Sequence, residues 1–138
     1  MTRDVIARKL ARLRVYLADL APHAGKSTER ILDDRYEIER LLELLVQVAV
    51  DIVSHELAER GVVPDSYRGA FLAAATERLL PADLAGRLAD AAGLRNILVH
   101  LYEEIDYEIV AGSIAEALGD FGQFAELYAA RLDEERNS

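Results

Sequence analysis

The sequence predicts an all-α protein. Hydrophobic residues recur at spacings of three and four along almost all of its 138 residues, and no stretch has the strict alternation of a half-buried strand. The pattern is interrupted by only 3 prolines and 8 glycines, the residues that most often end helices. A chain of this length buries a sizeable core without disulfides or metals. We therefore expect residues 1–138 to form one helical domain.

The first helix is predicted from Asp4 to Leu20, with Pro22 shortly after its end. Its hydrophobic residues fall on one stripe at helical spacing. The stripe consists of Ile6, Leu10, Leu13, Leu17 and Leu20. We interpret it as an ordinary core face.

A long second helical segment is predicted from Ser27 or Thr28, either of which suits an N-cap, to Arg60, where Gly61 ends it. The acidic pair Asp33-Asp34 indicates a bend. Two neighbouring faces are apolar, namely Leu41, Leu45, Val48 and Ile52, and Leu42, Val46, Ala49 and Val53. This arc is wider than one core contact requires, so the helix either lies at the centre of a bundle or also meets a second chain. We favour a symmetric dimer.

Three further helices are predicted after this segment. Ser66 ends a turn-forming stretch and suits the N-cap of a short helix that carries Phe71 and Leu72. Pro81 begins the next helix, whose stripe is Leu84, Leu88, Ala91 or Ala92, and Leu98. Asp106 suits the N-cap of the last helix. That helix carries Ile109, Ile114, Leu118, Phe121, Phe124 and Leu127.

The composition restricts the possible functions. The 25 acidic and 16 basic residues give a net charge of -9, which repels nucleic acid at long range, so any RNA contact must be local. Basic residues gather on the first helix at Arg3, Arg8, Lys9, Arg12 and Arg14, which we interpret as a solvated face. The chain has no cysteine, which excludes disulfides and zinc–thiolate sites. The charged N-terminus resembles neither a signal peptide nor a membrane span, and we expect a soluble cytoplasmic protein.

Residues 95–102, with the sequence RNILVHLY, form the most informative segment of the chain. They place Arg95, His100 and Tyr102 close together in an otherwise apolar helical pattern. Arginine supplies a permanent cation, and histidine exchanges a proton near neutral pH. Together they are the minimal equipment for cleaving a phosphodiester. Taken alone, the same spacing also arises at ordinary helix ends with solvated polar groups.

Three segments in order, ERLLELLVQVAVDIVSHELAERG, PDSYRGAF and GLRNILVHLYEEID, resemble the HepT-like branch of the HEPN superfamily. The resemblance spans nearly the whole chain. It includes the family motif R-x-x-x-x-H-x-Y, which Arg95, His100 and Tyr102 match without a gap. It implies an up-and-down helical bundle that forms a homodimer, with the motif of each chain facing a cleft at the interface.

The resemblance also implies a function. Members of this family are metal-independent endoribonuclease toxins of type VII-like toxin–antitoxin systems. Their partner is an MntA-like minimal nucleotidyltransferase antitoxin, which transfers AMP to the motif tyrosine. By this resemblance Arg95 and His100 are the catalytic pair, Asn96 supports them, and Tyr102 is the modified residue. The implied substrate is cellular RNA, and no cofactor or metal is expected.

These residue types suit RNA cleavage, because RNA carries its own nucleophile, the 2′-hydroxyl. His100 has an ordinary pKa of roughly 6.5 and can take the proton of this hydroxyl or protonate the leaving oxygen. Arg95 can hold the phosphate oxygens in a bidentate fork. On one helix the two residues lie about 140° apart. Either the helix unwinds near His100, or a composite site combines Arg95 of one chain with His100 of another.

Other polar groups are weaker candidates. Asp51 and His55 stand at metal-binding spacing, but no third ligand is evident, and we expect Asp51 to accept a hydrogen bond inside the bundle. His23 is expected to be exposed in a turn. The carboxylates at 33, 34 and 37 have no histidine at the spacing that a helical metal site needs. The alternative to a ribonuclease is a non-catalytic HEPN module that binds a nucleotidyltransferase, a role that the acidic charge suits.

Overall fold

The computed structural model describes residues 2–100 and 105–137, and within these ranges the chain is helical and contains no strand. The elements are α1 (Thr2–Leu20), a 3-10 turn (Ala21–His23), α2 (Thr28–Asp33), α3 (Arg35–Glu59), α4 (Tyr67–Thr76), α5 (Ala82–His100) and α6 (Tyr107–Asn137). The predicted all-α class is confirmed. None of the helices in the described ranges is both long and apolar enough to cross a membrane.

The helix boundaries follow from local capping. Ser27 and Ser66 accept hydrogen bonds from backbone N–H groups three residues later, at 3.3 Å and 2.9 Å, and so cap α2 and α4. Asp106 accepts from the backbone of Glu108 at 2.9 Å at the start of α6. These three predicted caps are confirmed. The predicted bend is also present, because the chain turns at Asp34 between α2 and α3.

The end of α3 depends on a glycine. Gly61 adopts a φ of +72°, a left-handed conformation that side chains with a Cβ rarely adopt. The backbone N–H of Val62 then donates to the carbonyl of Leu57 at 2.9 Å, the wrapped hydrogen bond of a Schellman-type helix end. The predicted helix stop at Gly61 is confirmed.

Contacts between the long helices give their directions. Lys9 in the first half of α1 contacts Asp51 in the second half of α3, so these helices are antiparallel. The start of α1 lies against the end of α6, where Arg3 donates to the carbonyl of Leu132. In the same way the end of α6 lies against the chain just before α5, because Arg131 donates to the carbonyl of Leu79. The long helices therefore alternate up and down, as expected.

Helix α3 lies at the centre of the bundle. It contacts each of the other five helices. Its buried residues cover most of its circumference, namely Ile38, Glu39, Leu41, Leu42, Leu45, Val46, Val48, Ala49, Val50, Ile52, Val53 and Leu57. This central position accounts for the wide apolar arc without a second chain. The arc therefore gives no argument for a dimer, contrary to our interpretation of the sequence.

The core combines the predicted stripes with the aromatic residues of α4 and α6. Phe71, Phe121, Phe124 and Tyr128 are its largest fully buried side chains. The predicted positions are buried with few exceptions, of which Ile109 is the clearest at 59% exposed. The same directions place the end of α5, the start of α6 and the start of α3 at one end of the bundle. Residues 95–100 lie at this end.

Candidate functional site

Arg95 is half-buried near the end of α5. Its guanidinium carbon lies 4.5 Å from the centre of the ring of Tyr67. Tyr67 is the first residue of α4. Such stacking holds the guanidinium in one plane, and the group keeps its positive charge. Its Nε is buried and has no hydrogen-bond partner among the described residues. A buried donor without a partner is unusual in native proteins. Here the donor is part of a guanidinium whose orientation is restricted by the Tyr67 ring.

A cavity of about 450 Å³ lies between α3, α5 and α6, and Arg95 is part of its wall. We call it the motif cavity. Its floor is apolar and formed by Leu42, Val46, Leu94 and Phe121. Its rim is polar and includes Arg87, Asp90, Ser113, Glu116 and Asp120. An apolar floor with a few polar groups at the rim is typical of a ligand pocket.

The second arginine at this cavity, Arg87, is tied to neighbouring side chains. Its Nε donates to Asp120 at 2.8 Å, and its Nη2 donates to Gln123 at 3.1 Å. Asp120 raises the pKa of Arg87, with a smaller contribution from Asp83. Arg87 therefore links α5 to α6. This leaves Arg95 as the cation at the cavity for which the described residues provide no ion pair.

The acidic residues at the rim make the motif cavity electrostatically mixed. Asp90 pairs with Arg68 at 3.3 Å. Glu116 is exposed and has no ion pair in the described part of the chain. A phosphate that approaches Arg95 therefore also meets negative charge. Among the described residues the cavity therefore has one fixed guanidinium without an ion pair and no broad positive surface.

The structure places the other motif residues as follows. Asn96 is exposed on α5, one residue beyond Arg95. The backbone is helical through His100, so the helix does not unwind between Arg95 and His100. Their backbone positions are therefore about 140° apart around α5. The His100 side chain and the whole of Tyr102 lie outside what the structure describes.

One important neighbour was missed by the sequence reasoning. Tyr67 supplies the ring beneath Arg95, yet α4 and α5 are separate elements, and no spacing rule connects them. The only available signal was that Tyr67 belongs to the PDSYRGAF segment. Only the packing of α4 against α5 reveals its contact with the motif.

The weaker candidates are resolved by their surroundings. Asp51 accepts a hydrogen bond from Lys9 at 3.4 Å, as expected, but its side chain is 44% exposed at the surface between α1 and α3 and does not lie inside the bundle. His55 is exposed. No cluster of residues suited to hold a metal occurs in the ranges 2–100 and 105–137.

The prediction of an exposed His23 was wrong. Its residue exposure is 5%. The 3-10 turn directs the ring toward the α2–α3 junction, where its nitrogens lie 3.7 Å from Asp34 and 3.6 Å from Glu37. Sequence spacing did not indicate this approach, because the histidine comes from a separate turn.

Comparison with known proteins identifies the family. The family model described as ribonuclease HepT-like matches residues 6–127. The chain is 28% identical over 130 residues to the mRNA nuclease HepT of Shewanella oneidensis, covering 92% of this chain and 98% of the relative. It is 35% identical over 104 residues to the tRNA nuclease HepT of Aphanizomenon flos-aquae, covering 72% of this chain and 70% of the relative.

A solved structure agrees with these sequence matches. It contains the tri-AMPylated HEPN toxin of Shewanella oneidensis in complex with MNT antitoxin. The toxin superposes on this chain with a TM-score of 0.83 and 26% identity, over 92% of this chain and 98% of the toxin chain. The family and the ribonuclease class expected from the sequence are thereby confirmed. The chain belongs to the ribonuclease HepT-like family.

Proposed function

We propose that this chain is a metal-independent endoribonuclease toxin that cleaves cellular RNA through Arg95 and His100. The observation that carries the proposal is the intact motif within a matched family fold, with Arg95 stacked on Tyr67 beside a cavity. Relatives named as an mRNA nuclease and a tRNA nuclease support RNA as the substrate class. We place the activity in the cytoplasm and in one domain of residues 1–138.

The proposed reaction needs proton transfer and charge stabilisation. The 2′-oxygen attacks the adjacent phosphorus while His100 takes its proton, and the protonated His100 then gives a proton to the 5′-oxygen as the bond from phosphorus to that oxygen breaks. The products are a 2′,3′-cyclic phosphate and a 5′-hydroxyl. Arg95 donates two hydrogen bonds to the non-bridging oxygens, where negative charge grows. Asn96, exposed beside Arg95, supports the phosphate as a further donor.

We propose further that the active form is a homodimer with a composite site. The argument is geometric, since α5 is helical through His100 and one helix separates the two positions by about 140°. A second chain that faces the first across a cleft can bring His100 close to Arg95 of its partner. Mixing Arg95→Ala and His100→Ala chains should then restore activity, because one of the two clefts in each mixed dimer has an intact Arg95 and an intact His100. Full activity in a monomer trapped by dilution would contradict the composite site.

We propose that the toxin is silenced by AMP transfer to Tyr102 from an MntA-like nucleotidyltransferase antitoxin. The AMPylated toxin in complex with MNT antitoxin supports this for a relative of the same fold. An AMP group two residues beyond His100 adds bulk and negative charge where the RNA phosphate must bind. Tyr102→Phe should therefore remain a nuclease after incubation with the antitoxin and ATP, whereas the unmodified parent chain should lose activity.

The second candidate function is a non-catalytic module that binds the nucleotidyltransferase. Its specific support is electrostatic, because the chain carries a net charge of -9 and acidic residues at the rim of the motif cavity. The deciding experiment is cleavage of total RNA and purified tRNA in EDTA by the parent chain beside His100→Ala. Cleavage by the parent alone supports the nuclease. If neither chain cleaves RNA, the result favours the binding module.

A further inference from the structure

A second groove lies between α1 and α3. Its volume is about 460 Å³. Helix α1 contributes Arg8, Arg12 and Tyr16, and α3 contributes the apolar side chains of Leu44 and Val48. We call it the basic groove. It contains part of the basic cluster that the sequence suggested was only a solvated face.

The charges in the basic groove are available to a ligand. Lys9 also lines it, but its Nζ is paired with Asp51 at 3.4 Å. Arg8 and Arg12 are exposed and have no ion pair in the part of the chain that the structure describes. The groove therefore has a local positive charge in a protein whose net charge is -9. An anionic ligand is the expected occupant.

The spacing of these side chains suits a nucleic acid strand. Arg8, Arg12 and Tyr16 follow one another at intervals of four residues, so they lie on one face of α1, about 6 Å apart along its axis. This interval is comparable to the separation of successive phosphates along an RNA strand. Tyr16 is half-buried in the groove. Basic side chains that follow a backbone beside an aromatic ring on which a base can stack are typical of single-strand binding sites.

The basic groove and the motif cavity lie on opposite faces of α3. Leu44 and Val48 line the first, whereas Leu42 and Val46 line the second, and the two pairs are centred about 160° apart on the helix. One RNA can occupy both only if it is long enough to pass around the bundle or across to a second copy. A contribution of the basic groove to cleavage must therefore depend on RNA length.

We propose that the basic groove is a secondary binding site for single-stranded RNA, in which Arg8 and Arg12 contact phosphates and Tyr16 stacks on a base. This proposal rests on the proposed ribonuclease function for its biological role. It adds a substrate-binding surface that determines which RNAs are held long enough to be cleaved.

The first test measures binding, with no contribution from cleavage. Fluorescence anisotropy with a 12-residue oligouridylate is recorded for His100→Ala, alone and combined with Arg8→Gln and Arg12→Gln. The matched control combines His100→Ala with Arg14→Gln and Arg30→Gln, which remove the same charge at exposed positions outside the groove. We expect the groove variant to bind about tenfold more weakly, as two lost charge contacts predict. The control should change by less than about twofold.

Two further binding measurements identify the contact. Loss of two phosphate contacts should reduce the slope of log affinity against log salt by about 1.4. A variant with Arg8→Lys and Arg12→Lys keeps both charges and should bind nearly as well as the chain with both arginines. Inorganic phosphate is added as a competitor. Displacement of the RNA by millimolar phosphate would instead identify a site for small anions. Equal weakening in the groove variant and the control would overturn the proposal, because it would indicate a general charge effect.

The second test separates this proposal from the ribonuclease function. Cleavage of a dinucleotide and of a long RNA is compared for the parent chain and for Arg8→Gln with Arg12→Gln. We expect unchanged dinucleotide cleavage and a raised KM for the long RNA. An unchanged KM for the long RNA would overturn the secondary site and leave the nuclease intact. RNA binding that depends on the groove, without cleavage by the parent chain, would overturn the nuclease and leave the site intact.

Discussion

The motif cavity and the basic groove lie on opposite sides of α3 and differ in the surroundings of their arginines. In the motif cavity Arg95 is half-buried, stacked on Tyr67 and surrounded by acidic residues at the rim. In the basic groove Arg8 and Arg12 are exposed and free of ion pairs within the described ranges. A fixed, partly desolvated cation is suited to charge that develops in a transition state. Exposed cations on flexible side chains are suited to holding a polyanion whose sequence they do not read.

This difference indicates a division of labour. Chemistry needs one guanidinium held within a narrow range of positions, and the ring of Tyr67 restricts it. Affinity for a long strand needs several charges but little positional precision. Under the two proposals, Glu116 at the rim of the motif cavity would weaken phosphate binding there, and the basic groove on the other face of α3 would compensate. Two surfaces with separate roles can be changed independently by substitution.

The largest effect is expected from His100→Ala or Arg95→Ala. Loss of general acid–base catalysis by His100 should lower kcat by about 10² to 10⁴. The loss should be similar for a dinucleotide and for a long RNA, because chemistry at the motif does not depend on length. His55→Ala, which alters an exposed histidine on α3, is the matched control. A loss confined to long RNA would assign His100 to binding.

Tyr67→Ala should reduce kcat roughly fivefold, since the cation–π contact contributes on the order of 1 kcal/mol to holding the guanidinium. Tyr67→Phe keeps a ring beneath Arg95 and should retain most of the activity. The KM for long RNA should be unchanged in both variants, which distinguishes positioning from binding. Equal losses in the two variants would show that the hydroxyl matters and the stacking does not.

Tyr128 lies in the second half of α6, away from the end of the bundle that carries the motif. Its titration tests the stability of the fold and not the motif. Burial raises the pKa of Tyr128, and the nearby Glu56 carboxylate raises it further. The folded state then keeps the phenol proton at a pH where the unfolded chain has lost it. The free energy of unfolding should therefore fall above about pH 10, by up to about 1.4 kcal/mol per pH unit.

The check is urea denaturation of the parent chain and of Tyr128→Phe between pH 8 and pH 11. The phenylalanine variant keeps the ring but has no phenol to titrate, so its stability should decline less steeply above pH 10. Below pH 9 the phenol of Tyr128 should contribute no pH dependence to the free energy of unfolding of the parent chain. Parallel curves across the whole range would exclude Tyr128 as the source of the alkaline loss.

The smallest effect is expected from Glu116→Gln at the rim of the motif cavity. Removing one exposed negative charge should raise kcat/KM by about two- to threefold at low salt and have little effect at high salt. Glu126→Gln, at an exposed position further along α6, is the control. An equal increase in the control would mean that overall charge, and not the rim, limits the approach of RNA.

Much of the fold could be predicted because its signals are local. Hydrophobic spacing placed the helices, and Ser27, Ser66 and Asp106 marked helix starts by their capping side chains. The motif residues were found by resemblance, since their order along the chain is preserved. The burial of His23 was missed because its ring contacts carboxylates that belong to another element. The wide apolar arc was compatible with a bundle centre or a dimer, and the dimer was favoured, because periodicity records how much surface is buried, but not what buries it.

The sequence by itself determined the helical class, the helix ends and the identity of the motif, because these depend on neighbours within a few residues along the chain. Only the tertiary structure decided that α3 occupies the centre of the bundle and that Tyr67 lies beneath Arg95. It also decided that Arg8, Arg12 and Tyr16 line one groove beside α3. The physical reason is that packing between helices brings together residues far apart in the chain, and no local pattern encodes those contacts.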